Sequence, residues 1–356
     1  MEPSDLQAPE AREQAVRACV REALGCEAGQ IEWLPAALGA RRFARVHLSA
    51  GAARTLIARV EAVEDPRGRP SGSDPEPPLE PIRALLERQG LPVPGRLGGD
   101  ASGRVELLED VGPRSLQTWA KGSTAAQRRG VYAQACDLVA ALQRVRDPGG
   151  VQAFRRRLDA ALFGYKAELF CRFSLAERDP PASDSECLAV REAFAHIAEI
   201  VGRVPARLAH RDFQSANLHV REDASGALRL VMIDLQGAFL APPEYDLVCL
   251  LRDSYVELSE SEVREQLERV RPTLPDAPEA ETCQERFDLL TLSRKAKDHA
   301  RFLQAAQQRE DRRFLVHLPS TVRSLRRAAR AARSRDSGFS ALAEIVESLP
   351  ESACER

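Results

Sequence analysis

The chain is short of lysine. Of its 51 basic residues only four are lysine, namely Lys121, Lys166, Lys295 and Lys297, and none precedes position 121. Every other basic residue is arginine, as a GC-rich coding bias would produce. The scarcity still has a chemical consequence. Any mechanism that needs an ammonium group in the first third of the chain is excluded, and a guanidinium is not a geometric equivalent of an ammonium.

Other absences narrow the class. No apolar run approaches the roughly 18 residues a membrane helix needs. The N-terminal stretch MEPSDLQAPEAREQ is polar and acidic and lacks the apolar region of a secretion signal. Eight cysteines are scattered singly, with no CxxC pair and no Cys/His spacing of zinc type. They read as reduced thiols of a cytoplasmic protein, with Cys136 and Cys249 as small core residues. A net charge of −2 gives no signal for nucleic acid or membrane.

The 356 residues are 44% hydrophobic and 29% charged, enough to build two domains or one bilobal unit. Residues 11–24 have helical spacing after Pro9. Arg42 to Leu48 and Arg54 to Val63 alternate as a hairpin. Residues 64–81, EDPRGRPSGSDPEPPLEP, read as an exposed loop. A helix over 82–89 and a strand over 105–108 follow, then Glu109-Asp110-Val111-Gly112 as a crossing. Beyond Ser115 the period is helical over 125–144, 154–173 and 186–201. Residues 208–240 then carry a short strand, a polar turn and two apolar strands, 218–220 and 228–233. Helices resume at Tyr245. The fold class expected is α+β. A small β-rich lobe spans 1–110, and a larger helical lobe spans 111–356.

The segment that carries chemistry is Ala209-His-Arg-Asp-Phe-Gln-Ser-Ala-Asn-Leu-His-Val220, followed by Val231-Met-Ile-Asp-Leu-Gln236. Phosphoryl transfer from a magnesium nucleotide needs one carboxylate beside the attacking hydroxyl. It also needs an amide oxygen and a second carboxylate to hold hard cations between the phosphates. His210-Arg211-Asp212 with Asn217 five residues after the aspartate, and Asp234 at the end of an apolar hairpin, meet that need. They match the kinase pattern H-R-D-x-x-x-x-N plus a later metal aspartate. Asp212 is the expected catalytic base. Asn217 and Asp234 are the expected Mg2+ ligands.

The flanking residues resemble the aminoglycoside phosphotransferase-like kinases, which share the protein-kinase fold. They are most similar to the branch of bacterial N-acetylmuramate/N-acetylglucosamine anomeric kinases. The resemblance runs through HRDFQSANLHV, through residues 233–255 (IDLQGAFLAPPEYDLVCLLRDSY), and through GARRFARV, LLERQGLPVP and LLEDVG upstream. Near the C-terminus it includes SRKAK, and it covers about residues 35 to 330. It implies an ATP-dependent transfer of the γ-phosphoryl group to a sugar hydroxyl, with ATP and Mg2+ as cofactors and a small-molecule acceptor. It implies the segment 107–112, with Glu109, as the nucleotide hinge, and Asp246 as a tie beneath the catalytic loop. Arg294 and Lys297 correspond to a basic pair on a late helix, as substrate contacts or as a solvated face.

The chain departs from that pattern in three places. Gly237 and Leu235 stand where the family has Asp and Phe. The Gly/Ser-rich phosphate loop is reduced to Gly39, with Ala36, Ala37 and Leu38 before it. The third strand offers Arg59 as its only cation, so Arg41, Arg42, Arg45 and Arg59 become the candidates for the nucleotide phosphates. Alternative functions are an aminoglycoside or other small-alcohol kinase, and a catalytically silent kinase-like binding protein. Six arginines over 323–335 would suit nucleic acid, but an amphipathic helix burying Val322, Leu325 and Ala329 is preferred, with no nucleic acid and no membrane as partners.

Overall fold

The computed structural model describes residues 8–35, 41–49, 54–61 and 77–352. The expected phosphate loop at 36–39, most of the 64–81 loop and Cys354 lie outside the described residues. Helix α1 (Pro9–Leu24) starts on Pro9 and stops at Gly25, whose φ of 65° lets its N–H reach Arg21 O at 3.0 Å. Its buried stripe, Val16, Cys19 and Val20, lies on a five-stranded antiparallel sheet of order β1-β2-β3-β5-β4. The strands are β1 (Ala28–Trp33), β2 (Arg42–Leu48), β3 (Thr55–Val60), β4 (Arg96–Gly99) and β5 (Val105–Glu109).

Strand alternation divides the sheet. Val46, Leu56, Ala58, Val60, Val105 and Leu107 are buried in one small core with α1. Arg45, Arg59 and Glu106 take the alternate positions, on the opposite face. Helix α2 (Leu79–Arg88) follows β3 in sequence, yet Leu79, Ile82, Leu85 and Leu86 belong to the large core of the helical lobe.

That lobe begins with α3 (Leu116–Lys121) and α4 (Ala125–Leu142), α4 opening on a reciprocal Thr124–Gln127 cap. The helix expected over 154–173 is broken. Arg156 to Asp159 run extended, and Leu158 N and Arg156 O pair with Leu240 at 2.8 Å. Asp159 then caps α5 (Ala160–Leu169), which continues as a π-helical turn, Phe170–Leu175. Next come α6 (Asp184–Gly202), β6 (Arg207–Ala209), the hairpin β7 (Leu218–Glu222) and β8 (Leu228–Met232), and β9 (Phe239–Ala241), which pairs with β6.

The remaining chain is helical: α7 (Tyr245–Leu251), α8 (Glu260–Val270), α9 (Ala280–Arg309), α10 (Leu318–Arg335) and α11 (Ser340–Glu347). Helix α9 is buried along most of its 30 residues. Helix α10 buries Val322, Leu325 and Ala329 as expected. Its Arg323, Arg327, Arg330 and Arg335 pair with Glu257, Glu260, Glu347 and Asp288. Cys136 and Cys249 are core residues. Among the described residues no helix is long and apolar enough to cross a membrane.

Candidate active site

The two short β-ladders hold the HRD segment and Asp234 together. The segment leaves the end of β6, and Asp234 follows β8 on the way to β9. His210 is buried and donates Nε2–H to Ile233 O at 2.8 Å, next to Asp234. Ile233 N in turn donates to Asn217 O at 3.0 Å. Arg211 takes φ 81° and Asp234 φ 64°, left-handed conformations unusual for residues with a Cβ. The strain at Arg211 is held by Asp246, whose carboxylate accepts from His210 N at 2.6 Å and Arg211 N at 3.1 Å. Burial raises the Asp246 carboxyl to about 6 despite those two donors. Asp253 grips the next turn, accepting from Ser215 N at 2.8 Å and from the Ser215 hydroxyl.

The loop brings the three expected residues into one place. Asn217 Nδ2 donates to Asp212 O at 2.9 Å, so its amide oxygen is directed away from that contact. Gln236 Nε2 donates to Asp234 Oδ1 at 2.5 Å. The Asp212 side chain is 32% exposed and accepts from Arg294 Nη1 at 2.9 Å. Burial works against its charge, but Arg294, Lys297 and Arg211 outweigh it and hold Asp212 well below the usual carboxylate range.

Helix α9 supplies the wall beside Asp212. Arg294 also donates to Arg211 O at 3.0 Å and Gln214 Oε1 at 3.3 Å. Asp298 collects Arg294 at 3.4 Å, Lys295 at 2.9 Å and Lys297 at 3.1 Å. A further cation, Lys166 of α5, comes to the same cluster. Sequence reading missed Lys166, Asp253 and Asp298. The signal for Lys166 was its rarity, a lone lysine in the apolar stretch LFGYKAELF.

The expected nucleotide residues are engaged with the protein's own groups. Arg59 is buried and pairs with Glu106 of β5 and with Glu61, not with a helix glutamate. Arg41 Nε lies 3.0 Å from Glu61, and Arg42 Nη1 donates to Arg41 O at 3.0 Å. Arg45 binds Asp110 at 2.7 Å. Glu109 accepts from Gly95 N at 3.1 Å and pairs with Arg221 of β7 at 2.5 Å, bridging sheet and helical lobe.

Asn217 and Asp234 suit magnesium by chemistry. The ion takes oxygen ligands and is held through one or two protein groups plus substrate phosphates rather than a full protein cage. Among the described residues no group of three His, Cys, Asp or Glu could form such a cage.

A five-stranded sheet over a helical lobe, with this loop between them, defines a protein-kinase-like phosphotransferase that acts on a hydroxyl group. The chain belongs to the Phosphotransferase enzyme family, whose profile matches residues 33–281. It is 27% identical over 285 residues to an N-acetylmuramate/N-acetylglucosamine kinase of Pseudomonas aeruginosa, covering 78% of this chain and 79% of that one. A Caulobacter vibrioides protein of the same name is 29% identical over 176 residues, 48% of this chain and 47% of that one. Among solved structures, choline kinase LicA from Streptococcus pneumoniae superposes with a TM-score of 0.60 at 14% identity, over 91% of this chain and 99% of that one. The gentamicin complex of APH(2")-IIa gives 0.58 at 13% identity, over 89% and 95%. These likenesses extend the shared fold across nearly the whole chain.

Proposed function

We propose that this protein moves the γ-phosphoryl group of ATP to a hydroxyl of an amino sugar of the N-acetylmuramate/N-acetylglucosamine kind. The observation that carries the reading is the Asp212 carboxylate. It is partly open to solvent, fixed by Arg294, and on one loop with Asn217, which the Ile233 N–H ties to the segment carrying Asp234. The names of the two bacterial relatives support the acceptor class.

Asp212 accepts a hydrogen bond from the acceptor hydroxyl and aims its oxygen at the phosphorus. Its low proton affinity suits a loose transition state, in which the hydroxyl proton moves late and orientation matters more than basicity. Asn217 and Asp234 would hold magnesium with oxygen donors. The ion would neutralise charge on the phosphates when bound. The segment 107–112, tethered through Glu109 and Asp110, would face the adenine of a bound nucleotide. Arg41, Arg42 and Arg59 serve the nucleotide from the sheet, Arg59 through Glu106 and Glu61 rather than by itself.

The cation excess beside Asp212 opposes a polycationic antibiotic as acceptor, because like charges would meet in a partly desolvated site. The test is ATP turnover with magnesium over a panel of amino sugars, neutral sugars and aminoglycosides, comparing wild type with Asp212→Asn. Removal of the carboxylate is expected to lower kcat by about 10²–10⁴-fold on an amino sugar. Unchanged turnover in D212N would remove Asp212 from its role. Turnover confined to aminoglycosides would overturn the acceptor class.

A further inference from the structure

Asp298 is the carboxylate on which the cations of α9 converge. It is buried, as are Arg294 and Lys295. Its Oδ1 lies 3.4 Å from Arg294 Nε and 3.1 Å from Lys297 Nζ, and its Oδ2 accepts from Lys295 Nζ at 2.9 Å. Burial opposes its charge, but Arg294, Lys295 and Lys297 outweigh that and hold Asp298 well below the usual carboxylate range. It therefore stays an anion at any working pH.

The Arg294 guanidinium is engaged at all three nitrogens. Nε faces Asp298, Nη1 donates to Asp212 Oδ1 at 2.9 Å and to Arg211 O at 3.0 Å, and Nη2 donates to Gln214 Oε1 at 3.3 Å. A planar fork held at three corners keeps little rotamer freedom. Removing Asp298 would free the corner nearest the helix, and the two that touch the catalytic loop would have to hold the side chain alone.

The contacts also close into a circuit. Lys295 Nζ donates to Ser254 Oγ at 2.8 Å, and Thr321 Oγ1 of α10 donates to the same oxygen at 3.1 Å. Asp253, the preceding residue, accepts from Ser215 N at 2.8 Å. Ser215 stands three residues after Asp212 on the same loop. The path leaves the loop at Asp212, crosses α9 through Asp298, and returns to the loop at Ser215. Its other members are buried, while the Asp212 side chain is 32% exposed. Neutralising buried cations explains the presence of one carboxylate. It does not explain why that carboxylate links the two ends of the catalytic turn.

We propose that Asp298 is a positioning residue for phosphoryl transfer: it fixes the Arg294 fork, and the fork aims the Asp212 carboxylate at the acceptor hydroxyl. This inference rests on the reading of Asp212 as the orienting carboxylate and holds for any hydroxyl acceptor.

The experiment is steady-state kinetics of the full chain, with ATP, magnesium and the member of the sugar and aminoglycoside panel that wild type turns over fastest. Wild type, Asp298→Asn, Asp212→Asn and the double variant are compared. D298N should lower kcat about 10-fold through misaimed geometry. KM for ATP and for the acceptor should stay within about threefold. In the D212N background the same substitution should change kcat less than about twofold, because no aimed carboxylate is left to misdirect. A merely structural role would give equal losses in both backgrounds, and that result would overturn the proposal. Unchanged kcat in D298N would overturn it while leaving the Asp212 reading in place. Unchanged turnover in D212N, or no turnover by wild type on any member of the panel, would overturn both. Should D298N fail to fold, Ser254→Ala opens the circuit at its Lys295 corner without removing a charge. S254A should lower kcat about threefold in the wild-type background and not in D212N. Equal losses in the two backgrounds, or none in either, would again overturn the proposal.

Discussion

Asp246 sets the pH behaviour of the loop, because Asp212 is held charged by its cations and does not titrate in the working range. Above about pH 6 the Asp246 carboxylate is ionised and accepts both His210 N and Arg211 N. As pH falls through about 6 it takes a proton, and its hold on the strained Arg211 weakens. Stability moves the other way. A carboxyl whose pKa is raised on folding favours the native state most below its unfolded value near 4, and that advantage is lost as pH rises through about 6. The expected outcome is a kcat that rises toward an upper plateau above about pH 6, while Tm declines over pH 4 to 6. Asp246→Asn should flatten both profiles. A kcat limb near 6 that persists in D246N would assign the titration to another group. Asp212, Asn217 and Asp234 were legible in the sequence because a short loop and one hairpin fix their spacing. Asp253 was not, since it acts across 38 residues on Ser215, a partner no local pattern names.

Among the elements, the contact between α1 and β4 has the tightest tolerance. A Cβ placed on Gly98 would lie 2.6 Å from the Ala23 Cβ, a distance real side chains do not reach. Gly98→Ala is therefore expected to lower stability by about 1–3 kcal/mol as overpacking. Ala23→Gly should restore part of it in the double mutant, with Tm and denaturant midpoints as readouts. If G98A is neutral, α1 shifts freely on the sheet and the contact does not define its position. The same glycines explain why β4, sequence RLGG, carried no strand signal. Helices α1, α2, α4 and α6 showed their apolar period clearly. The break at Arg156 to Asp159 did not show, because pairing with Leu240 overrides the helical preference of that stretch. Strand β9 was hidden for the same reason, being three residues long and defined by its partner β6.

At the scale of the molecule, the two-lobed plan followed from the order of strands and helices, but the cationic wall beside Asp212 did not. It is built by α9, where Arg294, Lys295 and Lys297 gather on Asp298. The lobes also differ in how they are held. The sheet has a small core of its own with α1, whereas α2 packs into the large helical core. Between them run the ion pair of Glu109 with Arg221 and apolar contacts of α2 and of Leu108 in β5 with the large core. Exposed ion pairs of this kind contribute little, about 0–1 kcal/mol each. The core formed by α1 and the sheet shares no buried residue with the large one and is the smaller of the two. Heating should therefore melt α1 and the sheet before α9, giving two calorimetric transitions. Amides of β1–β3 should exchange faster than those of α9. A nucleotide that binds only when the sheet is folded, present with magnesium at about 100 times its Kd, should stabilise the lower transition by about 2.7 kcal/mol and move the upper one less. A single transition with equal calorimetric and van't Hoff enthalpies would mean that α2 and Leu108 couple the lobes into one unit.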